Sequence, residues 1–235
     1  MGKLINKLGK SRRALLQVAL DFTSIKDALR ILNLILNTET DIIEFGTPLI
    51  KTEGMRRIFN DIINKLSINA IKLADTKTAD VGSIEVSEAW RYGFDVTTVL
   101  ASTNDEVIRE ALMTARKYGM DVVVDTVGID FSKLGSRIDE LVRLGVELVN
   151  IHVGIDVQRK LGVTASSFIK IIRDLIGSYG REIRFSVSGG IKPHEVCRFV
   201  DAGASVVVIG SAITRSKDPL MACREALSNL KSCTP

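Results

Sequence analysis

Residues 121–154 read DVVVDTVGIDFSKLGSRIDELVRLGVELVNIHVG. A valine-rich run, DVVVDTVG at 121–128, leads into a segment of helical periodicity that stops at Leu144-Gly145, where a glycine C-cap belongs. A second apolar run, ELVNIHVG at 147–154, follows. Strand, helix and strand in this order form the βαβ unit of a parallel sheet. The same rhythm recurs on both sides, at LLQVALD (15–21), DIIEFG (41–46), NAIKLADTK (69–77), DVTTVL (95–100), RFSVSGG (184–190) and SVVVIGS (205–211). Nearly continuous Val and Ile runs belong to strands covered on both faces. The first intervening helix shows the covering face: Ile25, Ala28, Leu29, Leu32, Ile35 and Leu36 stand at helical spacing behind Thr23 and Ser24 as N-caps. Eight equal βα units predict an α/β fold, a (β/α)8 TIM barrel in a single domain. An open doubly wound sheet is disfavoured, because no GxGxxG follows the first strand and nothing is left over for a second domain.

With 235 residues and 46% hydrophobic content, the chain has the size of one such barrel. Its expected layout is an N-terminal extension or helix at 1–14, a barrel core at 15–214 and a C-terminal helix at 215–235. The net charge of +4 comes from 32 basic and 28 acidic residues spread along the chain. That balance suits a small anionic substrate and argues against nucleic acid. The locally basic opening, MGKLINKLGKSRR, reads as a solvated turn. Cys197, Cys223 and Cys233 show no CxxC spacing and read as reduced thiols of a cytoplasmic protein. No stretch approaches the roughly 20 apolar residues of a membrane span, and no signal-like apolar core opens the chain. A soluble, intracellular protein without a membrane partner is expected.

Ionisable residues interrupt the apolar runs at their C-terminal ends, the end of a barrel where active sites are built. They are Asp21, Glu44, Asp75, Lys77 with Asp80 just beyond, Asp125 and His152. A lone charge in such a place costs several kcal/mol, on the order given by desolvation, which a shared polar site offsets. Asp21 taken alone reads first as a helix cap or turn former, and Asp125 reads at least as well in that way. Glu44 does not, since glutamate is neither a good cap nor a good strand residue. Asp75, Lys77 and Asp80 form D-x-K-x-x-D, which also occurs as a surface ion pair. His152 is placed for proton transfer near neutral pH, whereas His194, after Pro193, reads as a surface residue. Two histidines without a His/Cys cluster do not make a zinc site.

Glycines mark the ends of the last two strands, Ser188-Gly189-Gly190 and Gly210-Ser211. Barrels often bind phosphate at this corner, because glycine lets backbone N–H groups approach the anion. Glu44 and Asp75 on neighbouring strands supply two carboxylates, which is how Mg²⁺ is usually held, the remaining positions going to water and substrate. A metal there and a histidine beside it suit proton abstraction next to a carbonyl.

The segments LQVALD, EFGTPLIKTEG, ADTKTADVG, VNIHVGID, SGGIKP and VVIGSAIT, from Gln17 to about Thr214, resemble the orotidine 5′-phosphate decarboxylase suprafamily. The segment beginning at Glu44 resembles its metal-dependent branch. This resemblance implies a Mg²⁺-dependent aldehyde-lyase, with Mn²⁺ as a possible substitute, joining formaldehyde to D-ribulose 5-phosphate reversibly through a metal-stabilised enediolate. It also implies that Glu44 and Asp75 hold the metal, that Asp21 and Lys77 contact substrate, and that His152 is the base. Asp80 is implied to reach the partner's site in a homodimer, and Gly189, Gly190, Gly210 and Ser211 to bind phosphate. Ser211 departs from the glycine or arginine usual at its position, and Ser188 from the usual alanine. Alternatives are decarboxylation of 3-keto-L-gulonate 6-phosphate, against which stands the lack of an arginine shortly after His152, decarboxylation of orotidine 5′-phosphate, and a non-catalytic sugar-phosphate sensor.

Overall fold

The computed structural model of the chain describes residues 2–233, and in it the eight apolar runs pair edge to edge as parallel strands until the sheet closes on itself. The strands are β1 (Leu15–Leu20), β2 (Ile42–Phe45), β3 (Ile71–Thr78), β4 (Val96–Leu100), β5 (Asp121–Asp125), β6 (Leu148–His152), β7 (Arg184–Ser188) and β8 (Val206–Ile209). β1 pairs with β2 at Gln17↔Ile42 and with β8 at Leu15↔Val206, so no strand edge remains open. This is the expected (β/α)8 barrel, with strand limits within three residues of the sequence reading.

Helices follow each strand: α2 (Ile25–Ile35), α3 (Thr47–Glu53) and α4 (Met55–Ile58), α5 (Gly82–Arg91), α6 (Asp105–Tyr118), α7 (Leu134–Arg143), α8 (Ile155–Leu161) and α9 (Ile169–Tyr179), α10 (Val196–Val200), then α11 (Ser211–Thr214) and α12 (Pro219–Ser232). α1 (Lys3–Lys10) precedes the barrel. The residues covered by helices include Leu16, Val18 and Leu20 of β1, packed with Ile31, Leu32 and Ile35 of α2. The alternate residues Leu15 and Ala19 point inward and join Ile42, Leu73, Val96, Val123, Leu148, Val206 and Val208 in the barrel's own core. Inward parity therefore runs through Asp21 beyond β1, through Glu44 on β2 and through Asp75 and Lys77 on β3, continuing to Asp125 on β5 and His152 on β6. The apolar layers fill the lower barrel, and these polar side chains form its upper end.

Two sequence expectations are corrected. The basic N-terminus is an amphipathic helix, not a solvated turn: Leu4, Ile5 and Leu8 of α1 are buried against the lower interior layer. Its first N–H groups are capped from across the chain, because Asp121 accepts from Gly2 N (2.9 Å), Leu4 N (2.7 Å) and Ile5 N (3.2 Å). Burying three such side chains contributes on the order of 5 kcal/mol before the entropy of ordering the helix. The cysteines are not all free thiols: Cys197 and Cys233 are joined in a disulfide, with Cα atoms 5.3 Å apart, while Cys223 is free and buried. Their separation of 36 residues hid that α10 packs beside the end of α12. The limits at residue 1 and at 234–235 lie outside the described residues. Among those described, no helix is long and apolar enough to cross a membrane.

Candidate active site

β3 irregularly ends its pairing with β4, the register shifting between Ala74 and Thr78. Within that bulge Lys77 has φ 46°, and among the described residues it alone, apart from glycines, adopts a positive φ. Such a backbone costs of order 1–3 kcal/mol and persists only where surroundings hold it. Here Thr98 Oγ1 accepts from Lys77 N at 2.9 Å, and Thr76 Oγ1 donates to Thr98 O at 2.7 Å. The bulge carries the Lys77 ammonium onto Asp75 Oδ2 and to 3.7 Å from Asp125 Oδ2. Burial works against that ammonium, but Asp75, Asp125 and Glu44 outweigh it and hold its pKa above the ordinary lysine value.

Asp75 is buried and densely bonded, accepting from Thr47 Oγ1 (2.7 Å) and Thr98 Oγ1 (2.8 Å) as well as Lys77. Glu44 is also buried and accepts from Gln17 Nε2 at 2.6 Å. Burial, then the charges of Asp75 and Asp21, push its carboxyl well above the usual range. Asp21 lies at the rim and reaches solvent, with no side-chain hydrogen-bond partner among the described residues; a methyl group on Gly46 would come within 2.1 Å of its Oδ1. Desolvation by the surrounding barrel mouth first, and the charge of Asp75 second, raise its pKa too. Four carboxylates, Asp21, Glu44, Asp75 and Asp125, thus surround one ammonium.

On the other side, His152 Nδ1 lies 2.9 Å from Asp125 Oδ2 and 3.1 Å from Oδ1. Desolvation opposes ionisation of Asp125, but His152, Lys77 and the Val127 N–H (2.8 Å) prevail and bring its pKa down to about 2. An ionised carboxylate only accepts, so Nδ1 carries the proton and Nε2 is left basic. Asn150 Nδ2 reaches Asp125 Oδ2 at 3.4 Å and Ser188 Oγ at 3.0 Å, and Ser186 Oγ donates to Asn150 Oδ1 at 3.1 Å. Among the described residues no buried side-chain polar atom lacks a partner.

The structure therefore brings Glu44, Asp75, Lys77 and His152 into one polar centre with Asp21 at its rim. Gly189 and Gly190, with φ 122° and 71°, follow β7 beside it, and Gly210 lies against Asp21. Ser211 is exposed and opens α11. Asp80 does not join the cluster: it is exposed, and its side chain hydrogen-bonds to none of the described residues. Asp125, left open between turn former and site residue, belongs to the centre. Gln17, Thr47, Thr98 and Asn150 were missed, although Gln17 and Asn150 share the inward parity of Asp21 and His152 and could have been found by it. His194 is exposed, as expected. A cavity of about 640 Å³ lies at the opposite, lower end, walled by α1 and the segments before β2 and β3.

The donor set suits a hard divalent cation. Among the described residues no three His, Cys, Asp or Glu side chains converge as a full metal cage. Glu44 and Asp75 instead stand as two buried carboxylates on neighbouring strands, and burial first, then the charge of Asp75, raises the pKa of Glu44.

A closed parallel barrel with acids, a lysine and a histidine gathered at its strand ends has the architecture of a barrel enzyme. Its residues 14–226 match the Orotidine 5′-phosphate decarboxylase / HUMPS family, to which the chain belongs. The chain is 37% identical over 210 residues to 3-hexulose-6-phosphate synthase of Mycobacterium gastri, covering 89% of this chain and 96% of that one. It is similar to a crystal structure of 3-hexulose-6-phosphate synthase with TM-score 0.81 and 35% identity, covering 92% and 99% of the two chains. The structure of that enzyme from Salmonella typhimurium has TM-score 0.83 and 30% identity over 93% and 99%. These relatives are lyases.

Proposed function

We propose that this barrel condenses formaldehyde with D-ribulose 5-phosphate to D-arabino-hex-3-ulose 6-phosphate, and cleaves the product by the reverse path. The observation that carries the reading is the histidine whose Nδ1 is held by ionised Asp125 beside the acidic pair Glu44 and Asp75. The names of the relatives support the substrate pair. Glu44 and Asp75 would hold Mg²⁺, or Mn²⁺ in its place, which when bound supplies a Lewis acid to adjacent oxygens of the keto sugar.

His152 Nε2 takes the proton from C1 of ribulose 5-phosphate. The electron pair left at C1 forms the new bond to the formaldehyde carbon, whose oxygen takes up a proton. Asp125 holds the imidazole in the tautomer that this needs. Lys77, fixed by Asp75 and Asp125, donates to a substrate oxygen, and Asp21 accepts from a substrate hydroxyl at the rim. Backbone N–H groups at Gly189, Gly190 and Gly210, with Ser211 beside them, take the phosphate. Asp80 completes the site of a second copy in a homodimer. It is exposed, without a side-chain partner among the described residues, and close to exposed Val81 and Ile84. Decarboxylation of 3-keto-L-gulonate 6-phosphate is disfavoured, because residue 155 is isoleucine and the arginine of α8, Arg159, is exposed and 3.9 Å from Asp156.

The test is formaldehyde consumption by the purified protein with ribulose 5-phosphate, in Mg²⁺ and in excess chelator. Metal-dependent loss of formaldehyde supports the reading. A folded sample that consumes none in Mg²⁺ refutes it.

A further inference from the structure

α8 begins three residues beyond strand-ending His152, and six of its seven residues are exposed. Ile155, Val157 and Leu161 are among them, so no apolar face holds this helix to the barrel. Gln158 is its one residue that is not exposed, and Gln158 Nε2 donates to Val153 O at 2.7 Å. Val153 in turn donates through its N–H to Ser188 O at 3.1 Å, and beyond the helix Ala165 N donates to Gly189 O at 2.8 Å. The side chain of Gln158 fills the space beside the second corner glycine: a methyl group on Gly190 would come within 2.6 Å of Gln158 Oε1. One on Gly189 would come within 2.7 Å of Val153 O, the atom that Gln158 holds. One carboxamide thus connects the segment that follows the histidine to the two glycines after β7. Only one of its two N–H bonds is committed to Val153 O.

We propose that Gln158 is a positioning residue for the substrate's phosphate, holding α8 against Gly189–Gly190 so that the corner keeps the shape that accepts the anion. The inference rests on the assignment of the phosphate to that corner. Removing the carboxamide frees α8, since nothing else on the helix is packed, and takes away one of the two side chains beside Gly190, leaving Thr164 and the Ala165 N–Gly189 O bond to hold the corner alone. The cost falls on the phosphorylated substrate and not on formaldehyde, which has no phosphate to place.

The test compares wild type, Gln158→Ala and Gln158→Glu by calorimetric titration with inorganic phosphate and by kinetics in both substrates. In Gln158→Ala the phosphate affinity should weaken and the KM for ribulose 5-phosphate should rise by roughly tenfold, the size of one well-placed hydrogen bond. The kcat, the KM for formaldehyde and the Tm should move little. Gln158→Glu should lose more phosphate affinity than alanine, because its carboxylate repels the anion. Unchanged phosphate affinity in Gln158→Ala, a Gln158→Glu variant that matches wild type, or a rise in both KM values accompanied by a fall in Tm overturns the proposal. If wild type turns over no sugar yet the phosphate series behaves as stated, the proposed reaction fails and the role of Gln158 stands. If wild type binds no phosphate, that role falls with the corner.

Discussion

Replacing Asp125 by asparagine changes one atom and should disable the histidine. In the native site Oδ1 accepts from Val127 N at 2.8 Å and lies 3.1 Å from His152 Nδ1, while Oδ2 is the nearer oxygen to Nδ1 at 2.9 Å and lies 3.7 Å from Lys77 Nζ. In Asp125→Asn the amide oxygen would keep the Val127 bond, because a backbone N–H needs an acceptor, so the NH₂ group takes the place of Oδ2. An NH₂ donates to Nδ1 and forces the imidazole proton onto Nε2, leaving no base where C1 is to be deprotonated. Loss of the correct tautomer in a carboxylate–histidine pair costs about 10⁴-fold in kcat, which is about 5.5 kcal/mol of barrier. Asp125→Asn should therefore lower kcat by roughly 10³- to 10⁴-fold with a small change in KM. Formaldehyde consumption at saturating ribulose 5-phosphate measures it, with a melting curve to show that the variant is folded. Because the two residues act as a unit, the double variant with His152→Ala should be no slower than His152→Ala alone. A kcat within tenfold of wild type would refute the argument. The same group sets an acid limit: its pKa falls from 3.8 to about 2 on folding, so the stability it contributes is present above about pH 4 and lost as pH falls toward 2.

Three further outcomes are expected. Mg²⁺ should raise the Tm of the wild type, and Glu44→Gln should abolish most of that rise together with metal-dependent activity; an equal rise in both proteins would remove Glu44 from the metal site. Reducing the Cys197–Cys233 bond, which spans 36 residues, should lower stability by about 3–4 kcal/mol in the loop-entropy account, read as a Tm drop in reductant that Cys233→Ser reproduces without added reductant. Specific activity should fall on dilution in step with dissociation of a dimer seen by light scattering, and Asp80→Asn should lose activity while remaining dimeric; a fully active monomer would exclude a role for Asp80 across an interface.

The barrel was legible because its signal is local and repeated. Eight Val/Ile runs alternate with amphipathic segments, and each run is decided by neighbours within a few residues, so β3 and β6 could be placed from their own composition. The end of the barrel that carries chemistry was legible for the same reason, since Glu44 and His152 stand out against apolar neighbours on their own strands. Asp125 was not resolved, because whether an aspartate caps a turn or orients a histidine depends on a residue 27 positions away. The inward parity that links Gln17 to Asp21 and Asn150 to His152 was present in the letters, yet it becomes a site only when eight strands share one interior.

What the sequence by itself determined is the fold, the polar strand ends and the glycine corner, all properties of residue type and spacing along a single element. Only the tertiary structure decided that Asp125 holds His152, that the β3 bulge turns Lys77 onto Asp75, that Asp121 caps a helix plugging the lower barrel, and that Cys197 reaches Cys233. Each of these is a contact between segments far apart in the chain or turned by an irregular backbone. Its energy depends on distances of a few ångströms that local propensity does not encode, and closure of the barrel sets those distances.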